Sequence, residues 1–404
     1  MIKREGYMSR IRPFIGKDII KVLTGIRRSG KSVMLELIKE ELLRQGYLPS
    51  QFITINFEDM NNFGFCTAEL LHGEIKRRAA GIDGKVFLFF DEIQEVVDWE
   101  RCVNSFRIEL DCDIYITGSN AKLLSGELAT YLAGRYVEFI IYPLSYGEFT
   151  ALYREVYPDA GDQNIFTDYL TLGGMPYLSN LRYEAEPCRQ YLVDLYNSVV
   201  LKDVVKRNHI RDVDMLERII AYITANIGTT FSANAISKYL KSEQRAVSAE
   251  TILNYVKACE EAFLIYRVRR QDLQGKRILT VNEKYYIADH GIREAIFGGS
   301  MKDINLVLEN IVFLEIMRRG YQVTVGRAAE KEIDFVCEKQ KQKLYIQVSY
   351  LLASEDTVKR EFGAYDSIRD NYPKYVVSLD DFDMGRDGIK HKNIKEFLVM
   401  PEWY

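Results

Sequence analysis

Residues 25–32 read Gly-Ile-Arg-Arg-Ser-Gly-Lys-Ser, two glycines with four residues between them followed by a lysine and a hydroxyl. Gly25 and Gly30 permit backbone conformations that turn consecutive N–H groups toward one point. Ile26, Arg27, Arg28 and Ser29 complete a loop whose amides can cradle phosphate oxygens. Lys31 can reach the outer phosphates, and Ser32 can offer its hydroxyl to Mg²⁺. A helix predicted to start near Lys31 adds the positive end of its dipole. The motif needs a strand before it and a helix after it, and the sequence supplies both.

A second pair of groups fits the same chemistry. The run KVFLFFDE ends an apolar stretch in Asp91-Glu92. A carboxylate at the carboxyl end of a strand next to the phosphate-loop strand can hold Mg²⁺ through water, and Glu92 can orient the attacking water.

These groups have to be positioned by strands and helices. Apolar runs at 19–24, 51–57, 85–92, 112–118 and 136–144 are short and rich in β-branched or aromatic residues, which suits buried strands. Amphipathic stretches such as 31–45 and 97–110 lie between them. The alternation predicts an α/β fold, helices packed on a parallel sheet. Residues 145–227 read as mostly helical, interrupted by Gly173-Gly174 and Pro176. Beyond them come helices at 233–241 and 248–262, a strand pair around a polar loop, a helix at 302–319, and strands at 321–326, 332–338 and 343–350.

The 404 residues are 47% hydrophobic and 28% charged, which excludes disorder and a small disulfide scaffold and calls for two or three cores. The six cysteines are scattered without a Cys-x-x-Cys pair, so reduced thiols and a cytoplasmic protein are expected. No apolar run is long enough to span a bilayer. The net charge is −4, yet residues 211–300 hold 13 basic and 11 acidic side chains, net +2. A near-neutral total therefore does not exclude a nucleic-acid partner.

Residues 1–150 resemble AAA-type P-loop ATPases. The whole chain is similar to bacterial and archaeal ATPases that join such a module to an uncharacterised C-terminal region. Besides the phosphate loop and Asp91-Glu92-Ile93-Gln94, the resemblance rests on Thr117-Gly118-Ser119-Asn120 and Leu132-Ala133-Gly134-Arg135. Pro143-Leu144-Ser145-Tyr146-Gly147-Glu148-Phe149 and Gly173-Gly174-Met175-Pro176 also match. The resemblance implies ATP and Mg²⁺ as ligands. It implies that Asn120, or its neighbour Ser119, is a polar sensor between water and γ-phosphate. It places an arginine finger at Arg135, acting on a neighbouring subunit's nucleotide and so requiring a homo-oligomer.

Residues 211–290 resemble a winged helix, with Asn234–Lys241 as second helix and Ser248–Glu261 as recognition helix. Leu264–Arg270 and Ile278–Ile287 would be the wing. Candidate contacts to double-stranded DNA are Arg245, Ser248, Asn254 and Lys257 on the helix and Arg269, Lys276 and Arg277 in the wing. Residues 302–350 resemble the restriction-endonuclease core, with Glu309, Asp334 and Gln347 at its acidic positions. There Gln347 replaces an acid and Ser349 stands where a lysine is expected, so a degenerate, non-cleaving site follows; a migrated Lys343 or Lys359 is the alternative. The expected domains are the ATPase module (1–145), a helical lid (146–210), the winged helix (211–295) and the nuclease-like block (296–404). The expected function is a Mg²⁺-dependent ATPase that binds DNA as a switch or remodeller. The alternatives are a nucleotide-switched protein-interaction module and an ATP-regulated nuclease.

Overall fold

Helices that cover both faces of a sheet leave its central strands with no polar side to present, and the apolar runs of the first third of the chain behave accordingly. The computed structural model describes residues 2–124, 132, 134–273, 275, 277–298, 303–328 and 331–403. It forms two compact units, one reaching to Tyr142 and adding Glu261–Phe263, the other comprising Pro143–Glu260 and Leu264 onward.

In the first unit the elements are α1 (Glu5–Ile11), β1 (Ile20–Thr24), α2 (Lys31–Arg44), β2 (Phe52–Asn56), α3 (Ala68–Ala79), β3 (Val86–Asp91), α4 (Trp99–Glu109), β4 (Cys112–Gly118) and β5 (Tyr136–Ile140). The five strands are all parallel in the order β2-β3-β4-β1-β5. Every residue of β1, β3 and β4 is buried. Asp91 was expected on a strand next to β1; instead β4 lies between them, and Thr117 of β4 donates to Asp91. Burial extends to charge. Lys21 of β1 pairs with Asp113 of β4, both side chains fully buried. Asp113 is also hydrogen-bonded by Gly16 N and Tyr115 Oη, each at 2.7 Å.

The second unit opens with helices α5 (Tyr146–Val156), α6 (Asp162–Leu172), α7 (Ala185–Ser198), α8 (Val213–Ala225), α9 (Ala233–Ser242) and α10 (Ala249–Glu261). Then follow β6 (Ile265–Asp272), β7 (Arg277–Ile287), α11 (His290–Phe297), α12 (Ile304–Arg318), β8 (Gln322–Ala328), β9 (Lys331–Lys339), β10 (Gln342–Val348), α13 (Glu355–Gly363), β11 (Lys374–Ser378), β12 (Lys390–Asn393) and α14 (Ile394–Val399). Strands β6 to β12 make one sheet in the order β12-β11-β10-β9-β8-β6-β7.

The expected strand pair is present as β6–β7, and the sheet extends beyond it. The hairpin β6–β7 is not a free wing: Arg270, Gln271 and Asp272 pair in parallel with Val325, Gly326 and Arg327 of β8. The sheet therefore runs across the boundary expected at 295/296, and neither that position nor 210/211 separates compact units.

The Gly173-Gly174 interruption also has a cause. Gly173 ends α6 at φ 77°, and a Cβ on Gly291 would lie 2.0 Å from the Leu172 carbonyl oxygen, so the two backbones touch. Asp289 Oδ2 accepts from Gly174 N at 2.7 Å, and His290 Nε2 lies 2.6 Å from the Tyr169 carbonyl. Burial pushes the Asp289 carboxyl up to about 6 against the pull of the Gly174 and Ile292 amides. Burial pushes His290 down to about 4.

The two shifts act oppositely on stability. Folded Asp289 holds its proton more tightly than the unfolded chain, so its contribution falls as pH rises from about 4 to 6. His290 holds its proton less tightly when folded, so its contribution rises from about pH 4 to 6.5. Urea midpoints measured across this range should rise more steeply with pH in Asp289→Asn than in the parent protein; equal slopes would refute the assignment.

Candidate functional site

The loop 25–30 leaves the carboxyl end of β1 and enters α2 at Lys31. Gly25 has φ 137° and Gly30 φ 100°, and Arg28 between them is left-handed at φ 67°. A Cβ on Gly25 would lie 2.3 Å from the Ile141 carbonyl oxygen, so no side chain fits there. Ile26, Arg27 and Ser29 are buried, whereas Arg28 and Ser32 are exposed. Arg27 is held by Glu58 at 2.7 Å. Lys31 Nζ donates to the Gly25 and Ile26 carbonyls at 3.1 and 3.2 Å and lies 3.7 Å from Glu92 Oε1.

The acidic pair arrives at the end of β3. Asp91 accepts hydrogen bonds from Thr117 Oγ1, from Ser32 and, at 3.3 Å, from Asn56 Nδ2. Burial raises its carboxyl above the usual range in spite of the Thr117 and Ser32 hydroxyls. Glu92 is left-handed at φ 56°, with its N–H donating to Thr117 Oγ1 at 2.9 Å. Its carboxylate accepts from Ser119 Oγ at 2.7 Å and from Gln94 Nε2. Burial works to raise Glu92, but Lys31, Ser119 and Gln94 together hold it below the ordinary value. Ser119 therefore touches Glu92, and Asn120 is buried.

The residues present fit a triphosphate with Mg²⁺. Ser29 Oγ, in the loop, is buried without a hydrogen-bond partner among the described residues. Ser32 and Asp91, already within hydrogen-bond reach of each other, supply the hard oxygens such an ion requires.

Arg135 is exposed at the amino end of β5, donating to Asn104 Oδ1 at 2.7 Å. The phosphate loop is at the opposite, carboxyl end of the sheet. Five residues of β5 at about 3.3 Å each put roughly 15 Å between the two ends. Arg135 is thus remote from its own loop.

One contributor is not legible as a motif. Arg4 is buried and donates to the Ser29 carbonyl at 3.0 Å and the Tyr142 carbonyl at 2.8 Å. Its guanidinium lies 4.6 Å from the Tyr7 ring centroid, and Tyr7 Oη accepts from Tyr142 N at 3.0 Å. No spacing rule connects Arg4 to a loop more than twenty residues away.

The DNA-contact candidates divide. Asn254, Lys257 and Arg269 are exposed. Arg245 forms an ion pair with Asp214, and Ser248 Oγ caps α10 by accepting from Thr251 N at 3.0 Å. Lys276 and the side chain of Arg277 lie outside the described residues. Of the neighbouring basic residues, Arg267 pairs with Glu260 at 3.1 Å and Arg270 pairs with Glu332.

The nuclease-like residues do come together. Glu309 of α12 and Asp334 of β9 are buried, and Gln347 of β10 accepts from Asp334 N at 3.1 Å. The alternative lysines are elsewhere: Lys343 pairs with Glu338 at 3.2 Å, Lys359 with Glu355 at 3.8 Å. The cation that reaches the cluster is Lys284 of β7, 3.1 Å from Glu309, 2.8 Å from Glu332 and 3.8 Å from Asp334. Its signal was the alternation Lys284-Tyr285-Tyr286, which puts Lys284 and Tyr286 on one face of β7.

A family model described as "AAA domain" matches residues 17–150, and one described as "Domain of unknown function (DUF8612)" matches residues 163–303. An uncharacterized Haemophilus influenzae protein is 36% identical over 401 residues, covering 99% of each chain. An uncharacterized Methanocaldococcus jannaschii protein is 31% identical over 402 residues, 95% of this chain and 87% of the other. Among solved structures, the Aeropyrum pernix ORC1 protein in complex with DNA aligns with 12% identity and a TM-score of 0.32, over 72% of this chain and 91% of that one.

Because both the left-handed backbone and the Ile141 contact exclude a side chain, Gly25→Ala should destabilise the protein by about 1–3 kcal/mol. It should also weaken binding of a fluorescent ATP analogue, in a titration against the parent protein. Unchanged binding would remove the loop from the site.

Proposed function

The chain belongs to the family of the Haemophilus influenzae and Methanocaldococcus jannaschii proteins, which carries an AAA domain, and on that premise we propose that it binds and hydrolyses ATP with Mg²⁺ as a nucleotide-driven switch. The observation that carries this reading is the convergence of the phosphate loop with the buried Asp91 and Glu92, Lys31 lying 3.7 Å from Glu92.

Each residue has a role that its surroundings support. The loop amides and Lys31 bind the phosphates and offset their charge. Ser32 and Asp91 hold Mg²⁺, which when bound neutralises charge on the transferring phosphoryl group. Glu92, kept ionised by Lys31 and fixed by Ser119 and Gln94, orients the attacking water and receives its proton. Asn120 contacts the γ-phosphate side of the site. Arg135, exposed at the far end of its own sheet, acts on the nucleotide of a second copy. The chain therefore works as a homo-oligomer.

Lys31→Ala should abolish tight nucleotide binding. Glu92→Gln should keep binding and cut turnover by about 10²-fold or more. Turnover that persists in both would sink the catalytic assignment. Lys31→Ala and Arg135→Ala proteins, each inactive alone, should regain part of the ATPase rate when mixed, since each lacks a group on a different side of the shared site. No regain in any ratio would mean that Arg135 does not act in trans.

The proposed partner is double-stranded DNA, met by Asn254 and Lys257 of α10 and by Arg269 on β6. A second reading, that the second unit binds protein, is favoured by the internal ion pairs of Arg245, Arg267 and Arg270, which leave less free positive charge for phosphates. Duplex affinity measured against salt separates them. Phosphate contacts predict a log–log slope of about −0.9 per contact, reduced by Arg269→Glu. Absence of duplex binding at low salt favours the protein partner.

A further inference from the structure

The resemblance to a nuclease core implies a divalent cation among Glu309, Asp334 and Gln347, and the residues present do not fit one. Gln347 offers an amide that is already committed to Asp334 N at 3.1 Å. Asp334 Oδ2 accepts from Val348 N at 2.9 Å, and Glu309 Oε1 accepts from Tyr286 Oη at 2.6 Å. The space that these oxygens face contains the Lys284 ammonium, whose side chain is only 5% exposed. Among the described residues no group of three or more His, Cys, Asp or Glu side chains is arranged to hold a metal ion.

We infer that Lys284 is a built-in cation that takes the place of a divalent metal ion among Glu309, Glu332 and Asp334, and that it locks the hairpin β6–β7 onto the sheet. The geometry is that of a neutralised cluster. One Nζ lies within 3.1 Å of Glu309 and 2.8 Å of Glu332, with Asp334 at 3.8 Å. Lysine suits the place because its ammonium is compact and carries three donors. Burial works against the ammonium, yet Glu309 and Asp334 raise it above the ordinary lysine value, so it stays charged. A second cation, Arg270 of β6, closes Glu332 from the other strand of the hairpin. The groups come from β6, β7, α12 and β9, so the lock joins both strands of the hairpin to the helix and strand that follow. A metal ion would bind and leave with its concentration in solution, whereas a lysine is always present. The cluster is therefore structural.

The test uses the 404-residue, nucleotide-free chain and Tb³⁺, an oxygen-seeking ion whose emission is sensitised by a nearby tyrosine, here Tyr286. Lys284→Ala should give tyrosine-sensitised emission that a further Asp334→Asn change removes. The parent protein should give no emission that depends on Asp334. Asp334-dependent emission from the parent would overturn the inference, because the metal would then enter with Lys284 in place. A folded Lys284→Ala protein without such emission would also overturn it.

Unfolding midpoints supply a second measurement that survives poor folding of the single variant. With Lys284 present, Glu309→Gln should lower the midpoint by removing a partner of the ammonium. In Lys284→Met the same change should raise it, or restore folding, by removing an uncompensated carboxylate. The same sign in both backgrounds, or failure of the double variant to regain any stability, would mean that Lys284 only packs.

Discussion

An ionised group taken out of water must find its counter-charge inside the protein, and this single requirement arranges the second unit. Lys284 is 4% exposed, and its partners are drawn from a helix and a strand that follow it in the chain. Leaving an ammonium unpaired at that depth would cost several kcal/mol, more than most single contacts supply. Asn310 reinforces the joint beside it, accepting from Ile287 N at 2.8 Å and donating to Ile287 O at 3.1 Å. The hairpin that resembles a wing is thereby a structural edge of the seven-stranded sheet.

The first unit meets the same requirement in two different ways. Lys21 and Asp113 are sealed, with no exposed side-chain surface on either. Lys31, Asp91 and Glu92 are also buried, but Ser32 and Arg28 beside them face solvent, and Ser29 Oγ has no hydrogen-bond partner among the described residues. A closed pair holds a sheet together. A cluster with an open side and an unmet hydroxyl is suited to a ligand that brings phosphate oxygens of its own. The difference between Lys21 and Lys31 lies in what surrounds them.

The phosphate loop and the Asp91-Glu92 pair could be read directly because their chemistry is local: spacing along the chain is spacing in the site. The parallel sheet followed from runs buried on both faces. Strand order did not, since nothing in β3 or β4 says which lies against β1, and so Asp91 was placed one strand too near. The partners of Arg4 and Lys284 were illegible for the same reason, although strand alternation places Lys284 on the face of Tyr286. Each acts on groups twenty or more residues away, and a lone Arg or Lys on an amphipathic element ordinarily marks a solvated face. The strand pair at 264–270 and 278–287 is a local pattern and was legible, whereas the pairing of Gln271 with Gly326 that joins it to β8 is not local.

The joint at Lys284 has a consequence for the order in which the chain is made. Synthesis delivers β6 and β7 before any of their later partners. A nascent chain that has emerged only as far as residue 300 exposes Lys284 without Glu309, Glu332 or Asp334, and β6 without β8. From there the hairpin must wait, solvated, for about 35 more residues, or about 2–7 s at 5–20 residues per second. The sheet of the second unit is therefore completed only after β9 has emerged. A break placed near residue 300, where one matched family region ends, would cut through this joint.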